Sequence, residues 1–215
     1  MIIVSKVYMT VRENIIQASH DLFMRFSIKS ITMDDIAKQL SISKKTIYQY
    51  FKDKNDLVLQ VTRDHLEEEK QEIQTIKENS SNAIEILIEE SLCLRRNITD
   101  MNPSLLFDLK KYHHQAWALY LESKEKVYIR SLVETLQRGK EQGLFRQEID
   151  PEILAVLRVE QIQMSLENLI YPRNKFEFKD VQTQLFDHFL NGLVSEKGRK
   201  LLTKMNADHV ETMVK

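Results

Sequence analysis

The chain has 215 residues, enough for one ordinary domain or two small ones. Its 42% hydrophobic and 29% charged residues suit a globular protein in water, and four glycines with three prolines leave little material for tight turns, which favours an all-helical fold. A net charge of −1 excludes a surface that is basic throughout, the single Cys93 excludes an intramolecular disulfide and fits a reducing cytoplasm, and no apolar run approaches the roughly 20 residues of a membrane helix.

The opening MIIVSKVYM is too short an apolar run for a signal peptide, and Met9 is an alternative start to Met1. Val11, Ile15, Ala18, Leu22 and Phe26 recur at helical spacing and predict an amphipathic helix over 10–27. Thr32 is a good N-cap, with Asp34 and Asp35 in the first turn of a second helix whose apolar face is Met33, Ile36, Ala37 and Leu40. After three intervening residues, SIS, a short helix begins at Lys44. Asp53 can cap a fourth, running from about Lys54 to residue 77. Helices of bundle length follow over 83–98, from Asn102-Pro103 toward Leu121, over about 124–142 with Gly143 as its stop, from Asp150-Pro151 to Tyr171, and over about 180–195 before a polar tail. Neither an internal repeat nor a long alternating stretch calls for another architecture.

Charge is unevenly spread: residues 1–56 hold nine Lys/Arg against six Asp/Glu, leaving the remainder acidic. Within that basic head, SISKKTIYQYFKDK places Ser43 as N-cap and Ile47 and Phe51 on one face. Lys44 and Lys45 then stand in the first turn, where the helix end disfavours cations. An external polyanion would explain them. Residues 33–51 read as helix, turn, helix, and the outward Lys44, Lys45, Thr46, Tyr48 and Gln49 supply phosphate donors and base-reading side chains. A plain bundle corner has the same spacing and stays open as an alternative.

The stretch ITMDDIAKQLSISKKTIYQYFKDKNDLVLQV resembles the DNA-binding head of the TetR family of bacterial transcriptional regulators, with its Thr-x-x-x-Ile-Ala opening, its recognition helix ending in Tyr-x-Tyr-Phe, and the Lys-x-x-Leu that follows. GLFRQEIDPEILAVL and DHFLNGLVSEKGRKLL resemble weaker family patterns near the C-terminus. The resemblance implies an all-α protein with a DNA-binding domain over 8–68 and a helical ligand-binding and dimerisation domain over 69–215. It implies phosphate contact by Thr32, a groove-facing set of Ser43, Lys44, Lys45, Thr46 and Gln49, and backbone phosphates held by Tyr48, Tyr50 and Lys54. Tyr50 also suits a buried place by its spacing from Ile47. Family members often carry glycine where this chain has Ser41, and a small residue where it has Lys45.

By the same resemblance the protein is a cytoplasmic homodimer joined through its last two long helices, a ligand-responsive repressor of a palindromic double-stranded DNA operator. A small-molecule effector in the body would shift the fourth helix and release DNA. Ile153, Leu157, Met164, Leu185, Phe189 and Leu193 could build the dimer seam or an ordinary core. Phe107, His113, Trp117, Tyr120 and Tyr128 could wall an effector pocket, with Gln161, Met164 and Asn168 from a helix unusually rich in polar groups; the same aromatics equally suit core packing. No metal-ligand spacing, phosphate-binding glycine loop or catalytic constellation is present in the sequence, so no cofactor and no enzymatic activity are expected. The alternative function is a helical small-molecule sensor or carrier that has lost DNA binding.

Overall fold

A computed structural model describes residues 9–98, 101–167, 170–172 and 174–213, with side chains described to residue 205. The described residues are all-helical apart from one isolated bridge between Phe145 and Val194. They form two compact units. One comprises the described residues of Met1–Glu68 and of Asp100–Tyr120, the other those of Glu69–Thr99 and of Leu121–Lys215.

The first unit opens with α1 (Val11–Arg25), started by a capping box in which the Thr10 hydroxyl accepts from the Glu13 amide and the Glu13 carboxylate accepts from the Thr10 amide at 2.7 Å. Its buried face is Ile15, Ile16, Ser19 and Phe23, whereas Val11 and Phe26 are exposed. The expected apolar stripe is therefore rotated by about one residue; Ser19 enters the core because its hydroxyl donates to the Ile15 carbonyl at 2.6 Å. Thr32 and Asp35 form a second capping box at the start of α2 (Met33–Gln39).

α2 ends in a Schellman motif: Ser41 N–H donates to the Lys38 carbonyl and Ile42 N–H to the Ala37 carbonyl. This closure forces Ser41 to φ +55, a left-handed conformation that glycine adopts freely and serine does not. Then comes α3 (Lys44–Tyr48), capped by Ser43, whose hydroxyl accepts from the Thr46 amide at 3.1 Å. α4 (Lys54–Asn79) starts where Asp53 accepts from the Asp56 amide, as its sequence suggests, and supplies residues to both units.

Between Asn102 and Leu121 the expected single helix is two: α6 (Leu105–Tyr112) and α7 (His114–Ser123), after α5 (Ala83–Ile98) in the other unit. The break falls at His113, at φ −129 and ψ 63, a residue buried and held by a 2.7 Å hydrogen bond to Asn55. The N-cap position is Ser104 rather than Asn102, whose side-chain carbonyl instead accepts from the Ser104 amide and hydroxyl.

In the second unit, a π-helical segment, Lys124–Ile129, leads directly into α8 (Arg130–Glu141). α8 closes in the same Schellman pattern as α2, but with Gly143 at φ +67. Gly139 is required for a different reason: a Cβ there would lie 2.0 Å from the Phe145 ring. Asp150 caps α9 (Pro151–Leu166), which stops five residues before the expected Tyr171, and α10 (Phe178–Leu193) starts two residues before the expected Asp180. The expected polar tail is a helix, α11 (Glu196–Met213), begun by the Ser195 hydroxyl accepting from the Gly198 amide at 3.1 Å. The core collects Ile84 and Leu87 from α5, Leu132 and Leu136 from α8, Ala155 and Val159 from α9, and Phe186, Phe189, Leu190 and Leu193 from α10.

The left-handed serine gives a direct test. Ser41→Gly removes a steric cost of roughly 1–2 kcal/mol but loosens the unfolded chain by part of that amount, so a net gain of up to about 1 kcal/mol is expected in urea denaturation. Ser41→Val, β-branched at the same φ, should lower stability.

Candidate nucleic-acid interface

α3 has only five residues, too short to persist on its own, and is held by what it buries. Ile47 is wholly inaccessible, Phe51 just beyond it is buried, and the Arg12 guanidinium lies 5.7 Å from the Phe51 ring centroid. Fixing these two inward directs Ser43, Lys44, Lys45, Tyr48, Gln49 and Tyr50 to the exposed side, with Thr46 half-buried beside them. Tyr50 is exposed, so its buried alternative does not hold. Thr32 is exposed at the start of α2, with its hydroxyl donating to Asp35 at 2.6 Å.

The two lysines of the first turn differ. Lys44 Nζ donates to Asp34 on α2 at 3.0 Å, and that carboxylate raises the Lys44 pKa and offsets the unfavourable helix end. Lys45 is exposed and makes no ion pair among the described residues. Both cations are evident in the sequence, but not the carboxylate that answers one of them. Lys54, expected on phosphate, is turned inward: its Nζ donates to the Ile28 carbonyl at 2.5 Å, and burial lowers its pKa. An ammonium drawn onto an internal carbonyl is not poised for an external phosphate.

The loop that Lys54 holds is also gripped from α6. Asp108, 3% exposed, accepts from the Ser27 hydroxyl at 2.5 Å and from the Lys29 amide at 3.0 Å. Two donors from the α1–α2 connection thus satisfy a buried carboxylate, the arrangement a low-dielectric site demands. Nothing in the local sequence around Asp108 signals this; its partners lie about eighty residues upstream.

The residues considered for an effector pocket fall in both units. In the first, Phe107 is exposed with its ring edge-on to Tyr112, His113 is occupied by Asn55, and Trp117 stacks on Tyr120 at 5.1 Å between centroids. In the second, the Tyr128 hydroxyl donates to Glu69, while Gln161 and Met164 are half-buried on α9. Asn168 lies outside the described residues. A groove of about 610 Å³ in the second unit is lined instead by Lys70, Ile73, Lys77, Lys126, Arg130 and Glu134, among others, and by none of the expected residues. The Cys93 thiol is pushed up to about 12 by burial and then by Glu72, which leaves it protonated and unreactive. Among the described residues no cluster of His, Cys, Asp or Glu is placed to hold a metal ion, and no helix is long and apolar enough to cross a membrane.

The helix-turn-helix geometry coincides with a family match: residues 15–61 fit the description of bacterial regulatory proteins of the tetR family. An uncharacterized HTH-type transcriptional regulator of Bacillus subtilis, YvaF, is 30% identical over 169 residues, covering 78% of this chain and 88% of its own length. The chain belongs to the TetR family of bacterial transcriptional regulators. It is thus a DNA-binding regulator and not an enzyme. Two solved structures share the fold of this TetR-family protein. A putative transcriptional regulator from Saccharomonospora viridis in complex with choline has a TM-score of 0.73 at 19% identity, covering 86% of this chain and 98% of that one. FadR from Bacillus subtilis in complex with stearoyl-CoA has a TM-score of 0.62 at 17% identity, covering 83% and 97%.

Two measurements check these electrostatic assignments. Asp108→Ala would leave the Lys29 amide and Ser27 hydroxyl unanswered, so a loss of about 1–3 kcal/mol is expected in urea denaturation of the full chain. An unchanged midpoint would show that the loop is held without it. In the second unit, Glu90 has one carboxylate oxygen sealed without a hydrogen-bond partner, and burial pushes its pKa up to about 7 against the pull of Lys77. A folded pKa above the unfolded one means that the folded state binds the extra proton. Stability should therefore fall as pH rises from about 4.5 to 7, by up to about 3 kcal/mol. Glu90→Gln should flatten that fall and stabilise the protein at pH 8.

Proposed function

We propose that this TetR-family regulator is a ligand-responsive repressor that binds a palindromic operator as a homodimer. The observation carrying the reading is the outward face of α3. Lys45, without an ion pair among the described residues, stands beside Thr46 and Gln49 there, flanked by Tyr48 and Tyr50, with Ile47 and Phe51 turned the other way. Ser43, Lys44, Lys45, Thr46 and Gln49 address the major groove, and Thr32, Tyr48 and Tyr50 hold phosphates. Lys44 does so by exchanging Asp34 for DNA, and Lys54 joins them only by leaving the Ile28 carbonyl. The cytoplasm is where such a protein meets its DNA.

Dimerisation is supported by α9. Ile153 is 65% exposed, and Val156 and Leu157 follow it at helical spacing on a face that the single chain leaves uncovered. Phe189 and Leu193, by contrast, are spent in the intrachain core. Effector binding is supported by the relatives of like fold that hold choline and stearoyl-CoA. An effector in the body would act along α4, whose residues belong to both units.

Selecting bound fragments from random DNA with the purified protein tests the reading directly. Two inverted half-sites and a dimer by sedimentation are expected; a monomer on one asymmetric site would overturn it, and no selected DNA would favour a sensor or carrier. Lys45→Ala should weaken operator binding without unfolding and reduce the slope of log K against log salt by about 0.9 for each phosphate it no longer neutralises. Asp34→Ala should strengthen binding, since it frees Lys44 and removes a carboxylate beside the DNA.

A further inference from the structure

Arg158 on α9 is the unusual charge of the second unit. It is 4% exposed, and its guanidinium carbon lies 5.6 Å and 5.9 Å from the ring centroids of Phe186 and Phe189 on α10. One nitrogen, Nη2, donates to the Gln182 side-chain carbonyl at a long 3.4 Å. The other, Nη1, is sealed from solvent and has no hydrogen-bond partner among the described residues. Gln182, itself wholly buried, has its Nε2 in the same condition. Two buried donors on hydrogen-bonded neighbours are thus left without an acceptor among the described residues.

The charges around them make matters worse for a purely structural guanidinium. The ionised group that acts on Arg158 is another cation, Arg95 of α5, which donates to the Thr183 hydroxyl at 3.0 Å, next along α10 from Gln182. Burial first and Arg95 second hold the Arg158 pKa down to about 10, so the charge persists at neutral pH with no carboxylate among the described residues to answer it. An arginine cannot escape by neutralising, as a buried lysine or glutamate can. A planar fork of N–H donors is also the geometry that carboxylate and phosphate oxygens fit best. The neighbours are apolar: Ala155, Val159, Phe186 and Phe189 all belong to the core.

The geometry points to an anion-receiving site in the helical body, in which Arg158 and Gln182 take the carboxylate or phosphate group of a small apolar molecule. This rests on the body being the effector-binding part of the regulator, and it names the chemical class of that effector.

Octanoate, octyl phosphate and octanol share one chain and differ in the head group, so they serve as probes for isothermal titration calorimetry and thermal unfolding of the full-length protein. Octanoate or octyl phosphate should bind and raise the unfolding midpoint with concentration, whereas octanol should not; which of the two anions binds tighter identifies the head group. Arg158→Met should abolish the anion response and raise the midpoint of the ligand-free protein, because an apolar side chain of similar length replaces an unanswered buried charge. Arg158→Lys, which keeps the charge but loses the fork, should bind the anion at least tenfold more weakly and provides the comparison if the methionine variant does not fold. Equal responses to octanol and the anions, no response to either anion, or an unchanged response in the variants would overturn the site. Operator titration with and without the bound anion separates the two readings: anion binding that leaves operator affinity unchanged keeps the site and removes its regulatory role.

Discussion

The face of α3 proposed to read DNA is exposed because Ile47 and Phe51 are buried. Five residues cannot sustain a helix through their own hydrogen bonds, since the first turn fixes several dihedrals for little return. All of the order in α3 is therefore supplied by what it packs against. Ser43 and the Schellman closure of α2 set where the helix begins, and Asp34 quiets one of two cations that would otherwise oppose its N-terminus. The exposed side chains are held in register only as firmly as the two buried ones are. On the proposed reading, stability and DNA recognition in this head are thus one property measured in two ways.

Three buried charges illustrate how differently a protein interior can treat ionisable groups. Asp108 is met by a hydroxyl and a backbone amide, so its charge is useful: it ties α6 to the α1–α2 connection. Glu90 has no such partner on one oxygen, and it responds by holding its proton to near neutrality. Arg158 has neither remedy. It neither pairs with a carboxylate among the described residues nor discharges, and that residual demand distinguishes a group built for something external from one that merely completes a core.

What can be read from the sequence follows from the range of the interactions involved. Caps act over three residues, so Thr32, Ser43, Asp53 and Asp150 are legible, and the helix-turn-helix with them. The inward Ile47 and Phe51 follow from helical periodicity. The break at His113 does not, because it depends on Asn55 from 58 residues upstream, and no local pattern announces it. The buried face of α1 departs by one residue from the apolar spacing because Ser19 hides its hydroxyl on its own backbone and counts as apolar. The last helix is disguised by its polarity, and its one local signal is Ser195 as a cap. Arg158 cannot be singled out at all: a lone arginine in an otherwise apolar stretch is indistinguishable from a surface one until its surroundings are known.

The π-helical segment Lys124–Ile129 has a consequence for how this body can change over generations. A π turn accommodates an additional residue while the helix beyond it keeps its phase. Loss of one residue inside the segment would let it relax to regular α geometry with Leu132 and Leu136 still facing the core. The same loss within α8 would swing those leucines by about 100° toward solvent. Lys124–Ile129 is accordingly where this helix can tolerate a change of length. The groups that would lose their places are Lys124, which reaches Glu160 and Gln163 at 2.8 Å, and Tyr128, which reaches Glu69. Length variation among related chains should concentrate at this joint, and with it the polar links that tie the joint to α9 and α4.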